Sequence, residues 1–190
     1  MEAKKAATEA ITNARRIGLM LFEFETEYGG YPSEKTRRDV EASAGSELPA
    51  DDKTANAMFR QCFAAQYIDK EAIFFANISG AKKGDEVIGI GKTLAKGENA
   101  FSYIAGLSGA GNPARPLAVC PLIRGTTKFD PKPFGGKAVV LRVDNSVQLL
   151  PIGEDGTVMD KGVDLLSKDN PIWAGKAPDI RYPDLLPVEE

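Results

Sequence analysis

The side chains that most often carry chemistry in proteins are scarce in this sequence of 190 residues. Histidine is absent, which removes the usual general base near neutral pH, the commonest transition-metal ligand and every triad built on an imidazole. The two cysteines, Cys62 and Cys120, cannot form a four-cysteine zinc site or a Cys-x-x-Cys redox pair. Cys62 falls on an apolar helix face, so the sequence is compatible both with a buried free thiol and with one disulfide.

One glycine-rich segment resembles the end of a phosphate-binding loop. It reads Gly89-Ile90-Gly91-Lys92-Thr93, but the phosphate-loop pattern requires a glycine at the position that Glu86 occupies. A dinucleotide-binding loop requires a third glycine where the sequence has Leu94. We therefore predict a turn at this segment and no bound nucleotide.

Two acidic segments are candidates for a metal site or a catalytic pair. Residues 153–160, followed by Asp164, place several carboxylates around a turn, although their spacing does not match an EF-hand. A solvated Asp-Gly turn is the simpler interpretation, and calcium binding to residues 154–164 stays open. Asp51 and Asp52 are adjacent and stand where a helix cap belongs, so we interpret them as capping residues. We assign no catalytic, cofactor-binding or metal-binding residue.

Composition and charge narrow the class of protein. Hydrophobic residues make up 43% of the chain and charged residues 27%, which is ordinary for a globular protein, so we expect one domain over residues 1–190. The net charge of -3 and the pI of about 5.2 do not provide the positive field that a phosphate backbone requires, and we expect no nucleic acid partner. No window of the sequence approaches the roughly 18 consecutive apolar residues of a membrane-spanning helix.

The sequence predicts an amphipathic helix over residues 1–30, which would position the surface that the chain presents to its partners. Its apolar residues follow an unbroken 4-3 spacing, and Gly29-Gly30 provides the stop. The stripe begins with four alanines and ends with four larger side chains: Ala3, Ala7, Ala10, Ala14, Ile17, Leu21, Phe24 and Tyr28. Because small residues allow close helix approach, we predict that the alanines face neighbouring helices and that the larger residues anchor the helix to a sheet.

Charge is also graded along this helix. Arg15 and Arg16 lie early and Glu23 and Glu25 lie late, the reverse of the order that an isolated helix dipole favours. Arg15 and Glu25 are about 15 Å apart, since a helix rises about 1.5 Å per residue. Neighbouring copies with that stagger would pair the basic zone with the acidic zone, so we predict that these four residues are inter-subunit charges.

Residues 31–190 are predicted to form a head. Residues 33–53 are polar and indicate a loop with one short helical turn. A second helix follows, capped by Asp52 or Thr54 and extending to about Tyr67.

Strand signals dominate the rest of the head. Short strands are predicted at residues 73–75 and 87–90, and residues 138–143 and 147–150 are typical of a hairpin. Prolines indicate that the chain after Pro151 is a loop that packs on the body through Ile172 and Trp173. The fold class is therefore α+β, with a long N-terminal helix on an antiparallel sheet, an additional helix and a loop-rich C-terminal region.

Four segments resemble, in order, segments of one known superfamily. The helix end Tyr28-Gly29-Gly30-Tyr31-Pro32 is similar to that family's helix-to-loop junction, and residues 56–75 are similar to a helix-then-strand block. Residues 97–103 with residues 112–117, and the hairpin 139–150 around Asp144-Asn145-Ser146, resemble later parts of its head. The superfamily is that of type IV pilins and type II secretion pseudopilins, in the branch with enlarged heads.

The resemblance implies a pilin-like domain whose helix lies across an antiparallel sheet. It implies a non-catalytic subunit of a pilus or secretion system, whose partners are other pilin-like subunits or secretion-system components. It also implies export to the periplasm or cell surface and an inner-membrane anchor that precedes residue 1.

Two other functions compete with assembly. The first is a surface adhesin or ligand-binding module that has the pilin fold without polymerising, whose binding surface would be the glycine and aromatic residues of 97–111. The second is an enzyme, which the absence of histidine, of a nucleophile motif and of a cofactor fingerprint makes the weakest candidate.

Overall fold

The computed structural model describes residues 1–45 and 47–188. The helices are α1 (Glu2–Tyr28), α2 (Glu34–Ala44) and α3 (Ala55–Ala64). Short 3-10 turns cover Glu71–Phe74 and Pro171–Trp173. The strands are β1 (Ser102–Ala105), β2 (Pro116–Cys120), β3 (Lys137–Arg142), β4 (Val147–Pro151), β5 (Met159–Asp160), β6 (Val163–Asp164) and β7 (Asp179–Arg181). The predicted α+β class, with a long N-terminal helix and an antiparallel sheet, is confirmed.

Five strands form one antiparallel sheet in the order β4-β3-β2-β1-β7. The predicted hairpin is its β3–β4 pair, in which Val139 lies opposite Leu149 and Leu141 opposite Val147. The last strand, β7, returns to the opposite edge beside β1. The expectation that the chain after Pro151 is only a loop is therefore wrong, because this segment supplies an edge strand to the sheet as well as the separate β5–β6 pair.

The sheet is covered on both faces. Val139 and Leu141 point into a core shared with α1 and α3, and Ala138 and Val140 point into a second core on the other face. The second core is closed by the C-terminal region, where Trp173 is buried as predicted and donates its indole N–H to the carbonyl of Leu165 at 2.7 Å. Two covered faces explain why β3 is continuously apolar rather than alternating.

Two glycines have structural roles in α1: Gly18 lets the helix pack closely on the sheet, and Gly29 ends the helix. Gly18 faces the β3–β4 turn, where an added Cβ would lie 2.5 Å from Asn145 Oδ1 and 3.0 Å from Leu141 Cδ1. The helix therefore approaches the hairpin more closely at Gly18 than any side chain would allow. Gly29 ends the helix in the left-handed conformation with φ 77°, as predicted for the Gly29-Gly30 stop.

No helix in the described part of the chain is long and apolar enough to cross a membrane.

Residues 34–44 form the helix α2 rather than the predicted loop. Ser33 and Thr36 make a capping box, in which each side chain accepts the backbone N–H of the other. Gly45 ends the helix with φ 70°. Only two residues of α2 are buried, so its stability comes from these caps more than from an apolar face.

The expected strands at residues 73–75 and 87–90 are also absent from the described structure. Ile73 and Phe74 lie in the first 3-10 turn, whose backbone groups bind side chains instead of a neighbouring strand. Glu86 accepts the N–H groups of Glu71 and Ala72, and Asn13 Nδ2 donates to the carbonyls of Ala72 and Phe75. Residues 87–90 are exposed and lead into a turn at Gly91, where φ is 73°.

Arg181 connects the sheet edge to α2. Its Nη2 lies 2.6 Å from Glu34 Oε1, and its Nε lies 3.0 Å from Asp179 Oδ1. The hydrogen bond from Arg181 holds the pKa of Glu34 below its usual range. A lowered carboxyl pKa contributes stability that is present above the unfolded pKa and is lost as the pH falls through the folded one.

We expect Glu34→Gln to weaken the acid dependence of stability. The wild-type chain should lose stability below about pH 4.3 more steeply than the variant, whereas the two should differ by less than about 1 kcal/mol at pH 7, since Glu34 is half-exposed and screened by solvent. Thermal unfolding between pH 7 and pH 3 measures both slopes. Glu47→Gln, at an exposed glutamate, serves as the control. Identical slopes for wild type and Glu34→Gln would show that the ion pair with Arg181 does not form.

Candidate functional site

The candidate functional site is the solvent-facing side of α1, which we call the outer α1 face and define by Arg15, Arg16, Leu19, Phe22 and Glu23. Leu19 is 61% exposed and Phe22 is 54% exposed. They are three residues apart, so their side chains are neighbours on one helix surface. A leucine and a phenylalanine side by side in water form a small apolar patch on an otherwise polar helix surface, and burying this patch against another molecule would be favourable.

Threonines continue this surface toward both ends of α1. Their hydroxyl groups donate to carbonyls one turn earlier in the same helix, from Thr8 to Lys4, Thr12 to Thr8 and Thr26 to Phe22. These hydroxyls are therefore satisfied within the helix, and the side chains can present their methyl groups outward. The surface is consequently less polar than its sequence implies.

Charged residues flank the apolar patch on both sides along the helix. Arg15, Arg16 and Glu23 are exposed, so they are available to another molecule. Glu25 is half-buried and accepts the backbone N–H of Gly109 at 3.2 Å. Of the four predicted inter-subunit charges, Glu25 therefore already has a partner within the chain.

The predicted alanine seam faces inward. Ala7, Ala10 and Ala14 are 4%, 0% and 1% exposed and belong to the core between α1 and the sheet, and Ala3 is half-buried. The prediction that these alanines face neighbouring helices is therefore wrong for the three buried ones. The inner side of α1 is a single stripe that packs on the chain's own head along its whole length, because small residues let the sheet approach the early part of the helix.

The larger residues of the stripe lie in the same core. Ile17, Leu21 and Phe24 are completely buried, and Tyr28 is half-buried with its ring centroid 4.6 Å from that of Phe24. Leu19 and Phe22 were not assigned to a site from the sequence. The sequence contains a signal for this patch, because Leu19 and Phe22 are apolar residues on the otherwise polar side of the helix.

The two cysteines do not form a disulfide. Cys62 and Cys120 are free thiols, both 0% exposed. Burial raises the pKa of each thiol, which makes both poor nucleophiles and poor metal ligands at neutral pH. Both cysteines therefore act as small apolar side chains of the core.

The acidic and glycine-rich segments serve turns and caps. Asp155 accepts the backbone N–H of Thr157, and Asp164 accepts that of Leu166. Asp160 pairs with Arg142 at 3.7 Å. Since these carboxylates act separately, the turn interpretation of residues 154–164 holds over a calcium loop.

The other two segments behave in the same way. Asp52 accepts the N–H of Thr54, which in turn caps α3, so the capping interpretation of Asp51-Asp52 applies with Thr54 as the cap itself. In residues 89–93 the Thr93 hydroxyl closes a turn onto Gly89.

Of residues 97–111, the binding surface expected for an adhesin, residues 106–111 lie at the protein surface. Residues 98–105 are all buried, and they enter β1 and the core. A cleft of about 560 Å³ lies elsewhere, between the β3–β4 hairpin and the C-terminal region. Arg142, Gln148, Asp160 and Asn170 contribute its polar lining.

Comparison with known protein families, with curated proteins and with solved structures finds no match to this chain. The geometry of the molecule and the sequence resemblance are therefore the grounds for a functional proposal.

Proposed function

We propose that the chain is a non-catalytic, pilin-like subunit that assembles with similar subunits through the outer α1 face. The observation that carries this proposal is the placement of α1. One side of the helix packs along an antiparallel sheet, and the opposite side leaves Leu19 and Phe22 in water. A helix that is held by its own head and carries an apolar patch on its free side can pack that patch against another helix.

Charge complementarity favours a second copy of the chain, or a close relative, as the occupant of this face. Arg16 and Glu23 lie on opposite sides of the Leu19–Phe22 patch and are seven residues apart, or about 10.5 Å along the helix. Two parallel helices offset by that distance would place Arg16 of one beside Glu23 of the other, with the apolar patch of one helix on either side of this ion pair. Opposite charges at the rim of an apolar contact fix its register.

The location of the subunit is part of the same proposal. As a pilin-like subunit, the native protein is exported and is held at the inner membrane by a helix upstream of residue 1, with its head in the periplasm or at the cell surface. Its partners are other pilin-like subunits or secretion-system components. Fractionation of the native cells tests this location directly, since the full-length protein should be found with the membranes.

We expect reversal of the basic zone to reduce assembly. Arg15→Glu with Arg16→Glu should lower the yield of cross-linked oligomers of the full-length protein in its native cells by at least about 5-fold, since each exposed ion pair is worth up to about 1 kcal/mol and reversal adds repulsion. Adding Glu23→Lys should recover part of that yield, because it restores opposite charges across the contact.

The control is an equal reversal at exposed lysines outside α1, Lys168→Glu with Lys176→Glu. It should leave the oligomer yield unchanged. Unchanged yield in the double arginine variant would remove the charge-pairing model, and equal loss in the lysine control would show a nonspecific effect of net charge.

A second candidate function is a ligand-binding module that does not polymerise. The cleft between the hairpin and the C-terminal region favours it, because Asn170 contributes to the lining and its Nδ2 is buried without a hydrogen-bond partner. A buried amide without a partner is uncommon and often marks a place for water or ligand. Binding of glycans or a host surface by the head, in cells where the protein forms no cross-linked oligomers, would favour this function over assembly.

A further inference from the structure

Three acidic residues from separate parts of the chain come together beside the first 3-10 turn. They are Glu71 at the start of that turn, Asp85 in the irregular segment that follows it, and Glu98 before β1. Each offers one carboxylate oxygen, and these oxygens lie within 4.8 Å of one another. We call these residues the carboxylate cluster.

Two members of the cluster are buried. Glu71 is 0% exposed and Glu98 is 2% exposed, whereas Asp85 is exposed. Glu71 Oε2 accepts the backbone N–H of Leu94 at 2.6 Å, but Glu71 Oε1 is buried and has no hydrogen-bond partner. A buried carboxylate oxygen without a donor is unfavourable. Glu71 therefore has coordinating capacity that the protein itself does not use.

The cluster also lacks a positive partner. In the part of the chain that the structure describes, no lysine or arginine nitrogen lies within 4.0 Å of any of the three carboxylates. Three such groups side by side require a counter-charge.

The backbone of two neighbouring segments passes close to the side chain of Glu71. An added Cβ at Gly84 would lie 2.4 Å from the Cβ of Glu71, so only glycine lets the chain pass here and deliver Asp85 to the cluster. On the other side, the carbonyl of Leu94 accepts hydrogen bonds from Asn56 and Arg60, each at 2.9 Å. Glu71 is thus fixed between two segments, while Asp85 opens the cluster to solvent.

The ligand chemistry indicates a hard cation. All three donors are carboxylate oxygens, and calcium binds such oxygens at about 2.3–2.6 Å, so two of its ligands can be at most about 5 Å apart. The 4.8 Å spread of the cluster meets this limit. Water at the exposed side would complete the six to eight ligands that calcium takes. We propose that Glu71, Asp85 and Glu98 bind one Ca²⁺ ion.

The bound ion would order an apolar loop. The ion would connect Glu71 in the 3-10 turn to Asp85 and Glu98, which lie at the two ends of residues 85–98. In this segment Val87, Ile88 and Ile90 are 42%, 44% and 73% exposed. Calcium would therefore stabilise the protein and slow local opening of this segment. This consequence does not depend on the assembly function.

The test is calcium titration of the chain after EDTA treatment, at pH 7.5. Calorimetry should give one site, and free Ca²⁺ at about 100 times the Kd should raise the Tm by about 5–10 °C for a chain of this size. Amide hydrogen exchange should slow in residues 84–98. Glu71→Gln and Asp85→Asn should each lose the Tm response. The second variant changes an exposed side chain, so it keeps the test valid if the first fails to fold.

The matched control is Asp155→Asn, which changes an exposed carboxylate in the loop that the sequence offered as a calcium site. It should keep the full response to calcium. The proposal is overturned if the wild-type chain does not respond to millimolar Ca²⁺, which would leave a shared proton as the counter-charge. It is equally overturned if the response survives in Asp85→Asn, or if Mg²⁺ gives the same Tm shift as Ca²⁺.

Discussion

Phe24→Ala is expected to lower the free energy of unfolding by about 3–5 kcal/mol, the usual cost of removing a phenylalanine from a closed core. Phe24 is 0% exposed, and its ring packs against those of Tyr28 and Tyr67 at centroid distances of 4.6 and 6.3 Å. The cavity would open between α1 and the head, where little can move to fill it. Urea unfolding measures the change, and the Tm should fall by about 6–20 °C.

Phe22→Ala is the matched control on the same helix. It removes the same side chain two residues away, but Phe22 is 54% exposed, so the free energy of unfolding should change by less than about 0.5 kcal/mol. The pair therefore tests which side of α1 faces the head. Similar losses in both variants, or a loss below about 1 kcal/mol in Phe24→Ala, would contradict the orientation of the helix.

The stripe along α1 and the β3–β4 hairpin could be predicted from the sequence because each has a strong local period. The direction in which the alanines point could not be predicted from the sequence. A 4-3 stripe shows which residues share a side of a helix, but not whether that side meets its own head or another molecule. The sheet runs far enough along α1 to bury Ala7 and Ala10, and that length is a tertiary property.

Other elements were missed because their stability is not local or not apolar. The helix α2 is held by Ser33, Thr36 and Gly45 at its ends, and these capping signals were present but were outweighed by its polar composition. The turn at Glu71–Phe74 reads as a strand, yet its backbone binds the distant side chains of Asn13 and Glu86.

The carboxylate cluster had no sequence signal. Glu71, Asp85 and Glu98 do not follow the spacing of any known calcium loop. Only the folding of the segment after the 3-10 turn back onto that turn brings them together. The loop at residues 154–164 has denser acidic residues in sequence, but its carboxylates bind separate partners.

Leu19→Asp with Phe22→Asp is expected to abolish assembly while leaving the fold intact. Burying these two side chains in a contact would contribute about 1–2 kcal/mol each, and each new carboxylate would also have to lose its water. Association should therefore weaken by at least about 100-fold. Because both positions are exposed in the isolated chain, the Tm should stay within a few degrees of wild type.

The control for this variant is Met159→Asp, at a 53% exposed apolar residue in β5. Oligomer yield in native cells should fall to background for the double variant and should be unchanged for the control. If oligomers persist in the double variant, another surface mediates assembly.

Site-directed cross-linking at residue 19 tests the role of the outer α1 face most directly. Both native thiols are buried, so Leu19→Cys introduces the single accessible cysteine among the described residues, and Lys168→Cys provides an exposed reference position. In the staggered contact the two copies of residue 19 are about 14 Å apart. Treatment of native cells with a bis-maleimide that spans about 15 Å should therefore convert the full-length Leu19→Cys protein to covalent dimers, at a yield at least about 5-fold above that of Lys168→Cys. Equal yields at the two positions, or dimers only through residue 168, would contradict assembly through α1.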